Sequence, residues 1–497
     1  MGFRIREIDA ECKFSQVLTV EALSRAIPAD AITRVLHQEA VRTKRERKLN
    51  MPIIVWLIIA LHLYTTLSQG AVLAKLARGL RFIWPDPTFR LPKDSAISYR
   101  RTQLGARPLV RLFHELCQPI ATAQTRGAWL FGLRLMAIDG VVEDLPDTPA
   151  ILAVFGRHTS TRGPGAFPQL QGVLLVECGT HAIVDCGFWP CHTSERKGGL
   201  RMLRSLRRGM LVMWDRGFHD FDMIVAARRR DAHVLSRLPG HVKPQRIRTL
   251  CDGSFLAYLY PSDYGRRKRG ERIMVRVITY TISDPNLPGF GETYRVLTTL
   301  LNPRSAPAHD LACAYHERWE IEIVIDEIDT HQRLARRTLR SLTPLGVIQE
   351  LYGLLLAHYA VRVLMHEAAL LSDVDPDRLS FVHALEVVRD AVAEFQVVVE
   401  EQLAALYARM LADIADKRLP ERRPRSNPRV VKQKMSNFKL KRAEHYRPPK
   451  PYDSFRDAVV VQLAPPEESF DVLELPPRPP KQGAVILELR QSEPCLI

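Results

Sequence analysis

Cysteine is scarce: eight residues in 497, at positions 12, 117, 178, 186, 191, 251, 313 and 495, with no CxxC pair and no regular spacing. That excludes a disulfide-stapled scaffold and points to reduced thiols in a cytosolic protein. Cys186, Cys191 and His192 come nearest to a metal set. A further ligand at a usual spacing is missing, so zinc is not expected. An apolar h-region is also lacking in the opening MGFRIREIDAECK, so no signal peptide is expected. The one long apolar run, MPIIVWLIIALHLY at 51–64, is unbroken only to His62. A bilayer needs about 20 such residues, so the run reads as a buried helix and no membrane association is expected. Internal repeats are absent.

Acidic residues are in deficit, 55 against 71 Lys and Arg, which leaves a net charge of +16 and a pI near 9.6. Such a balance favours a polyanionic partner. Its placement is sharper than its size. Between Lys417 and Lys450 there are thirteen Lys or Arg and two Glu, so eleven of the sixteen excess charges lie in one basic arm. Apolar residues make up 46% and charged residues 25%, an ordinary globular composition with room for two to four domains.

Residues 1–125 read as helical, with prolines at 85, 87 and 92 separating two of the helices. DSAISYRRTQLG offers Asp94 or Ser95 as N-cap and carries Arg100 and Arg101 on a short helix that follows another. A helix-turn-helix that reads DNA and a plain helical bundle both fit. From Leu133 the pattern turns to strands alternating with helices: LRLMAID, then QGVLLVEC and HAIVDCGF across a Gly-Thr turn, a helix in RKGGLRMLRSLRRG, MLVMWD, another helix, and AHVLSRL. Asp139 and Asp215 each end a strand in this reading, which places acids on the rim of an α/β sheet. Between about 240 and 300 the chain is β-rich, with the basic loop GRRKRGER inside it. Apolar helices follow to about 412, and the Pro-rich basic tail at 413–497 is expected to be largely irregular.

AYHERWEIEIVIDEID, at 314–329, reads as one amphipathic helix. At about 100° per residue, Tyr315, Arg318, Glu322 and Asp329 share a narrow sector, with Asp326 beside them and Ile321, Val324, Ile325 and Ile328 opposite. A solvated polar face explains such a stripe as well as a functional one does. Taken together, Asp139, Asp215 and Glu322 are three oxygen donors from separate elements. Hard divalent cations prefer such donors, and a pair of ions so held can drive phosphodiester displacement.

AIDGVVEDLPDTP at 137–149, GAFPQLQGVLLVECGTHAIVD at 165–185, MWDRGF at 213–218 and YHERWEIE at 315–322 together resemble the transposases of the IS4 family. LSRAIPADAI resembles the family's helical N-terminal domain, and RSNPRVVKQKMSNFKLKR resembles a basic segment common after its catalytic core, so the similarity spans about 20–445. The resemblance implies an α/β fold: a ribonuclease-H-like catalytic domain at 126–412 with an all-β insertion at 240–300, behind a helical N-terminal domain at 1–125. It makes Asp139, Asp215 and Glu322 the acidic triad and the ligands of two Mg2+ ions, for which Mn2+ can substitute. It assigns Tyr315 and Arg318 to phosphate at the element's end, a task that suits a phenol and a guanidinium. Trp319 matches a tryptophan often found after the arginine and could stack on an unpaired base. Glu195 matches a recurring acid of the family, although a place at a helix start explains it as well.

Arg216, Arg100, Arg101, Lys432 and Lys434 are further candidate DNA contacts. The implied partners are double-stranded DNA, as terminal inverted repeats and target, and a second copy of the chain in the synaptic complex. The implied location is the bacterial cytoplasm, at the nucleoid. One departure stands out. The family's helix signature ends in Lys where this chain has Asp329, which either faces away, is compensated by His331, Arg333 or another cation, or marks a weakened enzyme. A catalytically impaired DNA-binding relative and a metal-dependent nuclease are therefore the alternative readings.

Overall fold

The Asn50 side chain accepts a hydrogen bond from the Ile53 amide at 3.0 Å and so caps the helix Met51–Ala60. Nine of its ten residues are buried, so the apolar run is a core helix, as its length implies. The computed structural model to which it belongs describes the chain apart from positions 1, 10, 42–48, 87, 161–162, 285–286, 288–289, 335–337, 420–430, 433–438, 441–454 and 464–497. The chain forms two units, Met1–Phe218 with Glu317–Arg422, and His219–His316 with Arg423–Ile497.

In the first unit Ala29–Gln38, Gln69–Leu76 and Asp94–Leu104 pack around Met51–Ala60. The 28-residue helix Pro344–Leu371 packs there too, started by Pro344 and capped by the Thr343 hydroxyl, which accepts from the Gly346 amide at 3.1 Å. It is long and apolar enough to cross a membrane, yet 78% of its apolar window is buried inside the protein. Gly353 permits the close crossing: a Cβ there would lie 2.7 Å from Ile58 Cγ2. The helix Asp94–Leu104 has Lys93, not Asp94 or Ser95, at its N-cap position, which puts Asp94 in the first turn.

The sheet of this unit is built on four strands: β1 (Leu133–Asp144), β2 (Gln169–Glu177), β3 (Ala182–Pro190) and β4 (Met210–Trp214). Their order is β3-β2-β1-β4, antiparallel except for the parallel pair β1 and β4. The β2–β3 hairpin turns through Gly179 (φ +77°), Thr180 and His181 (φ +59°), as expected from Gly-Thr. The helix Glu195–Met202 makes the crossover between β3 and β4 that a parallel pair requires. Asp139 does not end its strand. β1 continues to Asp144 because its pairing with β2 runs on through Val141–Gly172 and Glu143–Leu170 to Asp144–Gln169.

The stripe at 314–329 is not one helix either. It is divided into Ala308–Glu317, a turn at Arg318 and Trp319, Glu320–Asp326, and a π-helical turn Glu327–Gln332 that is closed by the Arg333 amide donating five residues back to Ile328 at 2.9 Å. Each break resets the angular register on which the single-sector reading depended.

The second unit holds β5 (His233–Arg237), β6 (Gln245–Thr249), β7 (Phe255–Leu259), β8 (Ile273–Ile282), β9 (Thr293–Thr298) and β10 (Val459–Val461). They form an antiparallel sheet in the order β5-β9-β8-β7-β6, with β10 added to β8. AHVLSRL forms β5, as expected of a strand, and β5 pairs antiparallel with β9. The fully buried Arg276 is held by Asp252, the Ser254 hydroxyl at 2.7 Å and the Ala306 carbonyl at 2.6 Å. GRRKRGER is not wholly loop: Tyr264–Lys268 is a short helix capped by Asp263.

Candidate active site

Asp139 sits midway along β1, and Asp215 directly follows β4, the parallel neighbour of β1. Adjacent parallel strands bring the two carboxylates near each other. Each is oriented by a local amide: Gly140 donates to Asp139 Oδ1 and Gly217 donates to Asp215 Oδ1, both at 2.8 Å. Helix Glu320–Asp326 packs on β1 and presents the exposed Glu322. The link is Arg318, which lies 3.2 Å from Asp139 Oδ2 through one terminal nitrogen and 3.4 Å from Glu322 Oε1 through the other. Its side chain is only 9% exposed, so the guanidinium is a fixed part of the site.

A fourth acid joins them. Glu195 begins the helix Glu195–Met202 without capping it, and its carboxylate lies over Gly140, where any side chain would collide with it. Burial pushes the Asp139 carboxyl up, opposed by Arg318 and the Gly140 amide and aided by the charge of Asp215. Burial pushes Glu195 up as well, followed by Asp139 and Asp215. Half-buried acids raised by burial and by a neighbouring carboxylate are what a bound cation would relieve, and a donor set made only of oxygens suits a hard divalent ion. Among the described residues, the clusters with ligand atoms within 4.8 Å of one another are His158, Cys191 and His192, and His181, Glu320 and Asp377. The three acids are spread more widely, and two of them, Asp139 and Glu322, flank the Arg318 guanidinium.

Asp329 is compensated. Arg333 lies 2.9 Å from its Oδ1 and also pairs with Glu143, four residues beyond Asp139 on the same strand face. His331 instead faces Asp326 at 3.4 Å. Sequence reasoning overlooked Glu143, although its even spacing from Asp139 places both on one side of β1. A buried network anchors the π-turn: Glu327 accepts from Arg362 and from His358 at 3.0 Å and lies 3.2 Å from His181. Despite burial, Arg362 and the two histidines hold the Glu327 carboxyl well below the usual range.

The remaining candidates fall in different surroundings. Arg216 is exposed in the turn after Asp215, and Trp319 is 45% exposed with the Arg318 guanidinium 5.8 Å from its ring. Tyr315 is buried on Ala308–Glu317, in the second unit. Arg100 is turned inward, donating twice to the Leu49 carbonyl at 3.0 and 2.7 Å, which gives it a structural part. Arg101 lies 3.2 Å from Gln349 Oε1 and lines a groove of about 490 Å³ with Arg340 and Asp94. Lys432 belongs to a two-residue strand paired with Lys439–Leu440, and Lys434 lies outside the described residues.

Residues 17–114 match the family model of the insertion element 4 transposase N-terminal region, and residues 131–360 match the transposase DDE domain. The transposase InsG for insertion sequence element IS4 of Escherichia coli (strain K12) is 29% identical over 423 residues, covering 83% of this chain and 92% of the relative. The putative transposase InsZ of the same organism is 26% identical over 229 residues, 44% of this chain and 72% of the relative. Among solved structures, a piggyBac transposase synaptic complex with hairpin DNA aligns over 81% of this chain and 85% of its own, at 11% identity and a TM-score of 0.37, too distant to carry an argument.

Proposed function

The chain belongs to the IS4 family of DDE transposases, and on that premise we propose that Asp139, Asp215 and Glu322 are the catalytic acids with which it cuts and joins DNA ends. It is an insertion-sequence transposase, and the reaction class is phosphodiester hydrolysis followed by strand transfer. The β3-β2-β1-β4 order, with one parallel pair and a helical crossover, supports a ribonuclease-H-like core, and the antiparallel sheet of the second unit supports its reading as an insertion. The observation that carries the site is the Arg318 guanidinium spanning Asp139 and Glu322.

The donor set fits two Mg2+ ions, with Mn2+ as a substitute, and such ions supply charge stabilisation to the attacking and leaving oxygens. The chain's own groups do the positioning. Asp139 and Asp215 are aimed by their amide hydrogen bonds, Glu322 is delivered by its helix, and Arg318 keeps two of the three acids in register before DNA arrives. Glu195 adds negative charge on the Gly140 side. Arg216 offers forked donation to a phosphate, and Trp319 offers a ring on which an unpaired base can stack. The family resemblance assigns a phosphate contact to Tyr315, whose side chain is buried on Ala308–Glu317. The charge that Asp329 presents is opposed by Arg333, which it shares with Glu143.

The proposed course is hydrolysis that frees a 3′-hydroxyl at each element end, attack of that hydroxyl on the opposite strand to give a hairpin, hairpin opening, and transfer into target DNA. Two copies of the chain hold the two ends, in the bacterial cytoplasm at the nucleoid. The test is purified protein with linear DNA that carries the element's ends and Mg2+, next to Asp139→Ala and Glu322→Ala. Hairpin-ended product from the unaltered protein alone is expected. Binding without cleavage would favour a catalytically impaired relative, and cleavage that ignores the ends would favour a nuclease.

A further inference from the structure

We propose that His158, Cys191 and His192 form a binding site for a single transition-metal ion of the zinc class, separate from the acid site. Their ligand atoms lie within 4.8 Å of one another, although His158 is 33 residues away from Cys191 in sequence. The partner missing at any usual spacing is supplied by folding. Cys186 takes no part, being buried in β3 beside Tyr352.

Three features of the cluster suit an ion. Cys191 is buried at its floor while both imidazoles are exposed at its rim, so a thiol and two rings face one point with a side left open for water. Gly156, with φ at +78°, lies beneath: a Cβ built on it would be 3.3 Å from both Cys191 Sγ and His192 Nε2, so the sulfur and the nitrogen converge over the one position in that turn that has no side chain. The two rings stand edge to face with centroids 5.5 Å apart, close enough for both to turn a nitrogen toward a shared ion. Zinc–sulfur and zinc–nitrogen bonds of about 2.3 and 2.0 Å place the ligands of one ion roughly 3.3–3.5 Å apart, a small closure from the observed spread. The frame exists without the ion, because the Cys191 amide donates to Phe155 O at 2.9 Å and the Gln169 amide to Gly156 O at 3.1 Å.

A thiolate with two imidazoles selects zinc or cobalt over magnesium, whereas the acid site selects the reverse, so the two sites sort metals by donor softness. On binding, the Cys191 thiol gives its proton to solvent and the sulfur bonds to the ion. His192 precedes Glu195 by three residues, so the clip would fix the chain entering the helix on which that acid stands.

The experiment uses the full chain, stripped with a chelator and titrated with Co2+ as the optical probe. One equivalent should produce a thiolate-to-cobalt charge-transfer band and four-coordinate ligand-field bands, bleached by Zn2+ and untouched by Mg2+. Cys191→Ser should abolish the charge-transfer band. His158→Gln, at an exposed position that leaves the fold alone, should weaken cobalt binding at least about tenfold. The pair Asp139→Asn and Glu322→Gln should change nothing. Absence of the band in the unaltered protein, or a band that His158→Gln leaves intact, overturns the proposal.

Discussion

The Arg318 guanidinium lies 3.2 Å from the Asp139 carboxylate, so a residue 179 positions away holds the acid at the centre of the site. The same side chain reaches Glu322, which makes Arg318 the organiser of two acids as well as a candidate for phosphate.

Replacing Arg318 by Ala removes the charge that opposes the burial of Asp139. The carboxyl is already raised, so its pKa climbs further, and the ionised form needed to hold a cation appears only at higher pH. The acid limb of the cleavage rate should therefore move upward in pH, while Arg318→Lys, which keeps the charge and loses the fork, should move it less. A pH profile of hairpin formation checks both.

Asp139→Asn and Glu322→Gln should each lower the cleavage rate by roughly 10²–10³-fold or more, the scale of losing a fixed electrostatic stabiliser. DNA binding and thermal midpoint should stay near those of the unaltered protein, since Glu322 is exposed and Asp139 half-buried. Gel-resolved cleavage beside a melting curve separates the two quantities.

Asp329→Lys would restore the residue type that the family signature carries, yet it would set a second cation against Arg333, now paired at 2.9 Å. A loss of stability of about 1 kcal/mol, and no gain in activity, is expected from breaking such a half-exposed pair and adding like charge. Urea denaturation measures the first and the cleavage assay the second.

Glu327→Gln leaves Arg362 buried with its charge uncompensated, which should cost about 3–5 kcal/mol. Because the Glu327 carboxyl is depressed in the folded state, its contribution is present above the ordinary carboxylate range and is lost as pH falls through the folded value. Unfolding free energy measured against pH should accordingly lose part of its acid-side slope in the variant.

Removing the chain from position 420 onward deletes most of the thirteen cations counted between Lys417 and Lys450. DNA affinity should fall for all sequences alike, and the slope of log affinity against log salt should become shallower by several units, about 0.9 for each phosphate that the shortened chain no longer neutralises. Fluorescence anisotropy at a series of salt concentrations reads both.

Much of this molecule is written in local pattern. The apolar run at 51–64, the hairpin through Gly179 and Thr180, the acid after Met210–Trp214 and the concentrated basic arm each follow from neighbouring residues, because burial, turn geometry and charge density are properties of short stretches. Periodicity misled where the backbone changes register: a single helix from 314 to 329 requires 3.6 residues per turn throughout, and the turn at Arg318 with the π-turn after Asp326 breaks that count. Position alone likewise cast Arg100 as a candidate DNA contact, but its guanidinium is spent on the Leu49 carbonyl. Only the tertiary structure could decide which distant groups meet. Arg318 with Asp139, Arg333 with Glu143, and His158 beside Cys191 are through-space pairings, set by which strands and helices pack together, and no spacing along the chain encodes them, whereas Arg318–Glu322 and Asp329–Arg333 are four residues apart and legible in the sequence.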